Sequence, residues 1–220
     1  MIGLFPDQPT LQVLCLGAHP DDIEIGCGAT LLGLAHRAGT TLRAIVLTGI
    51  EQRAGETRRA MDAFFPGSEV DILGFPDGRL PAQWNAVKDA LESTAAKDAP
   101  DVIFAPRTED AHQDHRLIGR LVTTVWRDAL VLHYEIPKWD RDPVAPNVYV
   151  PVSAEQAARK VDLLDEHFGS QRGRDWWDRE LFLGLMRQRG VECRERYAEA
   201  FTVSKAVLDF SGLDLSGEAQ

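Results

Sequence analysis

Two short polar segments hold most of the side chains in this sequence that could do chemistry together. The first is Ala18-His19-Pro20-Asp21-Asp22, and the second is His112-Gln113-Asp114-His115. Each follows an apolar run that is typical of a buried strand, and Pro20 cannot donate a strand hydrogen bond, so we expect the first strand to end there. Burying an imidazole beside two carboxylates is costly without a partner, and a divalent cation is an obvious one. The hypothesis is that both segments converge on one metal ion.

The residue types match a catalytic zinc site. Zinc takes nitrogen and oxygen ligands, and catalytic sites typically use three protein ligands and leave one position open. His19, Asp22 and His115 could supply such a set of two histidines and one carboxylate. Each segment alone is more often a turn or a polar helix start. The joint occurrence of both segments after strands of one sheet favours the metal site.

Hydrolysis at such a site needs further groups. Asp21 is adjacent to Asp22 and could take a proton from water as a general base. His112 could stabilise the oxyanion that develops in the transition state. Asp114 could orient one of the imidazoles by hydrogen bonding.

The elements that must position these residues alternate between strands and helices. This alternation predicts right-handed crossovers and an α/β, Rossmann-like fold, with a mainly parallel sheet and helices on both faces. Ligands of such sheets bind beyond the carboxyl ends of the strands, where both polar segments should lie. The predicted strands are Leu11–Leu16, Thr41–Thr48, Val70–Leu73, Asp101–Ala105 and Ala129–Ile136, and the predicted helices are Gly26–Ala38, Ala54–Phe65, Ala82–Lys97 and Asp114–Asp128.

The C-terminal part has a less regular pattern. We expect residues 1–220 to form a single domain in which the part from about 137 to 205 completes the pocket. Ser153-Ala-Glu-Gln156 has the pattern of a capping box, which predicts a helix over Ala154–Phe168. The other predictions are an irregular loop at Pro137–Pro146, strands at Asn147–Val152 and Ala198–Val203, and a Trp-rich helix at Asp175–Arg189.

Composition excludes some partners. The net charge of −10 over 220 residues argues against nucleic-acid binding and against adhesion to anionic membranes. The three cysteines are scattered and form no C-x-x-C pair, which fits a reducing cytoplasm. No long apolar run is present, and the first ten residues lack the pattern of a signal peptide.

The paired segments resemble the LmbE-like/PIG-L family of zinc-dependent N-deacetylases, whose signature combines an A-H-P-D-D-E-like segment with a later H-x-D-H segment. The resemblance extends from about Leu11 to Phe201. It implies that His19, Asp22 and His115 hold the zinc and that Asp21 is the general base. It also implies that His112, with Asp114 near it, stabilises the tetrahedral intermediate or protonates the leaving amine.

The resemblance also implies a substrate class, namely N-acetylglucosamine-type amino sugars and their glycoconjugates. The segment Arg53-Ala54-Gly55-Glu56 resembles a family region and makes Arg53 a candidate for binding sugar hydroxyls, and Asp77 in the Phe75–Gly78 loop is a second candidate. A helix-start salt bridge and a plain turn explain these two residues about equally well. Ferrous iron as the metal in the cell and a homo-oligomeric state are left open.

Two departures from the family pattern affect the expected chemistry. Ile23 replaces the commoner glutamate after the second aspartate, which leaves the metal ligands intact. Glu109-Asp110-Ala111 stands where some sugar deacetylases have a tyrosine, so more of the oxyanion stabilisation would fall to His112.

Three alternatives are distinguishable by assay. Two histidines and a carboxylate also describe the facial triad of non-haem iron oxygenases, although an alternating α/β pattern argues against that class by analogy. A non-catalytic sugar-binding protein would not require Asp21 and His112. Within the hydrolases, an amidase that cleaves a larger acyl or thiol-conjugate amide is the nearest alternative.

Overall fold

A computed structural model describes residues 9–139 and 145–207, and its central feature is one seven-stranded sheet. The strand order is β3-β2-β1-β4-β5-β7-β6. Strands β1 to β5 pair in parallel, whereas β7 runs antiparallel to both β5 and β6. The predicted α/β fold with a mainly parallel sheet is therefore confirmed. The strands are β1 (Leu11–Gly17), β2 (Thr40–Thr48), β3 (Glu69–Phe75), β4 (Val102–Pro106), β5 (Leu130–Tyr134), β6 (Val148–Val152) and β7 (Tyr197–Thr202).

Helices cover both faces of the sheet, as predicted. They are α1 (Asp22–Leu34), α2 (Glu51–Phe64), α3 (Trp84–Ala95), α4 (Gln113–Val125), α5 (Ala154–His167) and α6 (Arg179–Cys193), with a short 3-10 helix at Leu80–Gln83. Because successive strand residues point to opposite faces, β1 contributes to two cores. Val13 and Cys15 pack with α1, α2, α5 and α6, and Leu14 and Leu16 pack with α3 and α4.

Helix α1 lies against the sheet at very short range. A Cβ atom at Gly26 would lie 2.3 Å from Cδ2 of Tyr134, so only glycine allows this approach. The fully buried Tyr134 donates its hydroxyl hydrogen to the carbonyl oxygen of Leu16, at 2.7 Å. This packing fixes the first turn of α1 above the carboxyl end of β1.

A buried ion pair also contacts the backbone of α1. Lys160 on α5 donates to the carbonyl oxygen of Ile25 and to Glu199 of β7, each at 2.6 Å. The Glu199 carboxylate accepts from the backbone amides of Ala29 and Thr30, at 3.0 and 2.7 Å. Both charged side chains are nearly inaccessible to solvent, and these contacts compensate their charges within the protein. Elements from the C-terminal part thus stabilise the helix that follows the first polar segment.

Several predicted boundaries differ from the structure. Helix α1 begins at Asp22 rather than at Gly26, so it includes part of the first polar segment. The Trp-rich helix predicted from Asp175 is wrong at its start, because Asp178 caps α6 and the tryptophans precede the helix. The capping box at Ser153 is confirmed. Residues 140–144 of the predicted loop at Pro137–Pro146 lie outside the described residues.

Among residues 9–139 and 145–207, no helix combines the length and the apolar character that crossing a bilayer requires.

Candidate metal and catalytic site

The structure brings the two polar segments together at the carboxyl ends of β1 and β4. His19 lies on the turn between β1 and α1, Asp22 opens α1, and His115 lies in the first turn of α4. His19 Nδ1 is 3.1 Å from His115 Nε2 and 3.5 Å from Asp22 Oδ2, and His115 Nε2 is 3.2 Å from the same oxygen. Three potential ligand atoms therefore form a nearly equilateral triangle.

The size of this triangle fits a small divalent cation. Ligand atoms at 2.0–2.1 Å from a tetrahedral zinc ion are separated by about 3.3–3.4 Å. The observed separations of 3.1, 3.2 and 3.5 Å bracket that value. The three side chains are also buried, so they are held in place before any ligand arrives.

Two further groups of ligand atoms overlap this triangle. His19, His112 and His115 have ring nitrogens within 4.8 Å of one another, and so do donor atoms of His19, Asp77 and Asp114. His19 and His115 thus belong to more than one possible donor set, and His19 can offer either ring nitrogen. The histidine and aspartate side chains of this cluster could bind a metal ion.

The turn itself orients Asp22. Its Oδ2 atom accepts hydrogen bonds from the backbone amides of Ala18 and His19, at 2.9 and 2.8 Å. Burial alone would raise the pKa of Asp22, but the adjacent imidazoles of His115 and His19 hold it well below its ordinary value. The carboxylate is therefore ionised and ready to bind a cation.

Charge in the cluster also favours a cation. Burial lowers the pKa of His19, but the Asp22 carboxylate and contacts with Asp114 and Asp77 outweigh it and raise the pKa to about 12. Burial likewise lowers the pKa of His115, and the charge of Asp22 together with the contact to Asp110 raises it to about 9. Both imidazoles thus lie in a strongly negative field, which a divalent cation would neutralise.

Asp21 lies beside the triangle without being part of it. It has φ 97° and is 5% exposed, and its Oδ2 atom is 3.0 Å from the guanidinium of Arg53. Burial raises the pKa of Asp21 to about 7, although the charge of Arg53 opposes the shift. A carboxyl with a pKa near neutrality is suited to exchange a proton with water.

Arg53 also donates to the carbonyl oxygen of Pro20, at 2.6 Å. The predicted helix-start salt bridge is therefore present. This contact places the guanidinium at the rim of the cluster.

His112 caps α4 and is half-buried. Its Nδ1 atom accepts a hydrogen bond from the backbone amide of Asp114, at 3.3 Å, which assigns the proton of the neutral ring to Nε2. Burial lowers the pKa of His112, and the charges of His19 and His115 lower it further. His112 is thus a neutral N–H donor at pH 7. Its ring centre is 4.7 Å from that of His19 and 4.9 Å from that of His115.

Asp114 contacts Nε2 of His19, the ring nitrogen that does not belong to the triangle. Its carboxylate accepts from the backbone amides of Gly78 and Leu80, at 2.8 and 3.1 Å, and lies 3.4 Å from His19 Nε2. Asp77 belongs to the loop held in this way, and its Oδ1 atom is 3.1 Å from the same imidazole nitrogen. Asp114 therefore orients His19 and anchors the loop of Asp77, whereas Asp77 is largely exposed and accessible from solvent.

Sequence reasoning missed Asp110. The residue is 1% exposed, and its Oδ2 atom is 3.0 Å from His115 Nδ1. Its Oδ1 atom accepts from the backbone amide of His112 and from Lys138, at 2.8 and 3.0 Å. The available signal was an aspartate a few residues before a histidine predicted to bind metal, because such histidines usually contact a carboxylate through their second nitrogen.

Comparison with known proteins identifies the family. A sequence profile described as PIG-L, GlcNAc-PI de-N-acetylase, matches residues 14–126, which include both polar segments. A curated relative, the uncharacterized deacetylase YaiS of Escherichia coli (strain K12), is 34% identical over 170 residues, covering 70% of this chain and 89% of YaiS. The chain therefore belongs to the PIG-L family of deacetylases, and the predicted resemblance is confirmed.

Solved structures share the fold. The conserved protein TT1542 from Thermus thermophilus is 26% identical, with a TM-score of 0.71 over 91% of this chain and 97% of TT1542. The N,N'-diacetylchitobiose deacetylase from Pyrococcus horikoshii is 23% identical, with a TM-score of 0.71 over 91% of this chain and 87% of that enzyme.

GalB, the 4-carboxy-2-hydroxymuconate hydratase from Pseudomonas putida KT2440, is 14% identical, with a TM-score of 0.70 over 91% of this chain and 98% of GalB. The fold alone therefore does not define the reaction.

Proposed function

We propose that this protein is a metal-dependent hydrolase that removes the N-acetyl group from an amino sugar or its glycoconjugate. The observation that carries the proposal is the triangle of His19, Asp22 and His115, with Asp21 and His112 beside it. The donor set suits zinc and also ferrous iron, and we propose zinc. When bound, it would polarise the amide carbonyl and lower the pKa of a water molecule to about 7.

The residues of the chain divide the remaining work. Asp21 accepts a proton from water as the water oxygen attacks the carbonyl carbon of the acetamide. The neutral imidazole of His112 donates a hydrogen bond from its Nε2–H group to the developing oxyanion and keeps its proton. The C–N bond then breaks, and the proton held by Asp21 passes to the leaving nitrogen. The products are acetate and a free amine.

The substrate class rests on the family and its relatives. The family description refers to an N-acetylglucosamine conjugate, and the similar structure from Pyrococcus horikoshii is a deacetylase of a diacetylated disaccharide. Arg53 and Asp77 flank the cluster and offer a donor and an acceptor for sugar hydroxyls. We also propose that the chain forms one deacetylase domain, because β6 and β7 extend the same sheet. We propose a cytoplasmic location on a separate ground, namely the scattered cysteines, which fit a reducing compartment.

A substrate screen tests this function. The protein is incubated with acetylated amino sugars and with their nucleotide, lipid and glycoside conjugates, and free primary amine and acetate are measured together. We expect equimolar release that is lost with a chelator, restored by zinc, and lost in His19→Ala and His115→Ala. The exposed His36 provides a matched control, and His36→Ala should retain activity.

The same assay separates the alternatives. Release of longer acyl groups in preference to acetate would indicate the amidase, and coupled oxygen uptake would indicate the oxygenase. Sugar binding without turnover would indicate a binding protein. Amine release that survives both chelation and His19→Ala would refute the metal-dependent mechanism.

A further inference from the structure

The buried Asp110 carboxylate contacts both histidines of the second polar segment. Its two oxygens have different partners: Oδ2 faces His115 Nδ1 at 3.0 Å, and Oδ1 accepts from the His112 amide and from Lys138. Among the described residues, His115 Nδ1 and Asp110 Oδ2 are buried and have no other hydrogen-bond partner. The polar contact of each of these two atoms is therefore with the other atom.

Lys138 adds a contact from a distant part of the chain. It follows β5 and lies beyond the residues that match the family profile, and its Nζ atom is 3.0 Å from Asp110 Oδ1. Its side chain is 10% exposed and that of Asp110 is fully buried, so the pair is poorly screened by solvent. The Lys138 ammonium thus offsets the charge that Asp110 presents to His115.

We infer that Asp110 is a positioning residue that holds His115 as a metal ligand, and that Lys138 moderates the strength of this ligand. The inference rests on the metal site of the proposed function. A carboxylate at the second nitrogen of a histidine fixes the ring orientation and increases the basicity of the ligating nitrogen. Lys138 attracts the same carboxylate in the opposite direction and therefore weakens that effect.

Zinc affinity, measured by competition with a chromophoric chelator, tests both parts without any substrate. Loss of such a partner typically reduces metal affinity 10–100-fold, and we expect this for Asp110→Ala. Asp110→Asn keeps an acceptor but no charge, so its affinity should be intermediate. Lys138→Met removes the positive charge that offsets the Asp110 carboxylate, so Asp110 should act more strongly on His115. Zinc should then bind at least as tightly as in the unmodified protein.

The control is Asp71→Asn. Asp71 lies on the edge strand β3, and its carboxylate is paired with Arg43 of β2, so its loss should leave zinc affinity unchanged. Circular dichroism of each variant establishes that it folds, and Asp110→Asn carries the test if Asp110→Ala does not. Affinity within threefold of the unmodified protein in the folded Asp110 variants would overturn the inference. Equal losses in the Asp110 and Lys138 variants would also overturn it, because a merely structural bridge predicts them. Failure of the unmodified protein to bind zinc would instead refute the proposed function.

Discussion

Replacing Asp21 with asparagine separates proton transfer from metal binding. Asp21 lies outside the ligand triangle, so Asp21→Asn should leave zinc content unchanged. Asparagine tolerates the left-handed conformation at φ 97° and has almost the same volume, so the turn should persist. The amide cannot accept the proton of water. General-base catalysis typically contributes 10²–10⁴-fold, so we expect kcat to fall by that factor, which corresponds to about 2.7–5.4 kcal/mol of barrier.

Alanine at the same position provides an internal comparison. Asp21→Ala removes the base as well, but it also forces an alanine into the left-handed region, at a cost of roughly 1–2 kcal/mol. Both substitutions lose the ion pair with Arg53, which is 3.0 Å from Asp21. The alanine variant should therefore unfold at lower urea concentration than the asparagine variant, while both lose similar activity.

The assay measures amine release on the best substrate of the screen, with zinc content determined in parallel. Activity of Asp21→Asn above one tenth of the unmodified level, with full zinc content, would refute the role of Asp21 as base. Loss of zinc together with activity would show that Asp21 supports the metal site instead.

Three further substitutions test charges around the site. Arg53 lowers the pKa of Asp21, so Arg53→Met should raise it and move the acidic limb of the kcat/KM profile to higher pH; an unmoved limb would contradict the pairing. Burial raises the pKa of Glu24 from 4.5 to about 8, so the folded state holds this proton at pH values where the unfolded chain has released it. The contribution of the Glu24 carboxyl to the free energy of unfolding is therefore complete below pH 4.5 and is lost as the pH rises towards 8. Glu24→Gln cannot ionise and should be more stable at pH 7 by up to about 3 kcal/mol in urea titrations with chelator, whereas a parallel pH dependence in both proteins would contradict this. Lys160→Met leaves Glu199 as an unpaired buried charge and should cost about 3–5 kcal/mol, partly recovered by adding Glu199→Gln; a thermal midpoint equal to that of the unmodified protein would contradict the estimate.

The regular half of the fold could be predicted because its signals are local. Apolar runs bounded by glycine and proline mark β1 to β5, and the connecting helices follow from their periodicity. The order β5-β7-β6 could not be read in this way, because the last strand enters the sheet through long-range pairing that leaves no local pattern. The start of α1 was misplaced because the polar residues after Pro20 were assigned to the turn, whereas the helix begins directly at Asp22. Close packing against Tyr134 and Phe64 requires the glycines at 26 and 28 within this helix.

The candidate site was predictable to a different extent for each residue. His19, Asp22 and His115 stand in segments whose residue types and order indicate metal chemistry, and the structure places their atoms within 3.5 Å of one another. The contacts of Asp114 with the loop near Asp77 were not predictable, because that loop follows β3 and Asp114 follows β4, and two strands separate β3 from β4 in the sheet.

The first turn of α1 shows why such a site needs the whole fold. The proposed mechanism requires Asp21 and Asp22 to lie within a few tenths of an ångström of their productive positions, because displacement of about 1 Å costs catalysis up to 100-fold. Tyr134 holds their turn in place, because its ring packs on Gly26 and its hydroxyl donates a hydrogen bond to the carbonyl oxygen of Leu16. It is fixed further along by Lys160 bonded to the carbonyl oxygen of Ile25. Substitutions of these distant residues should therefore reduce activity before they unfold the protein.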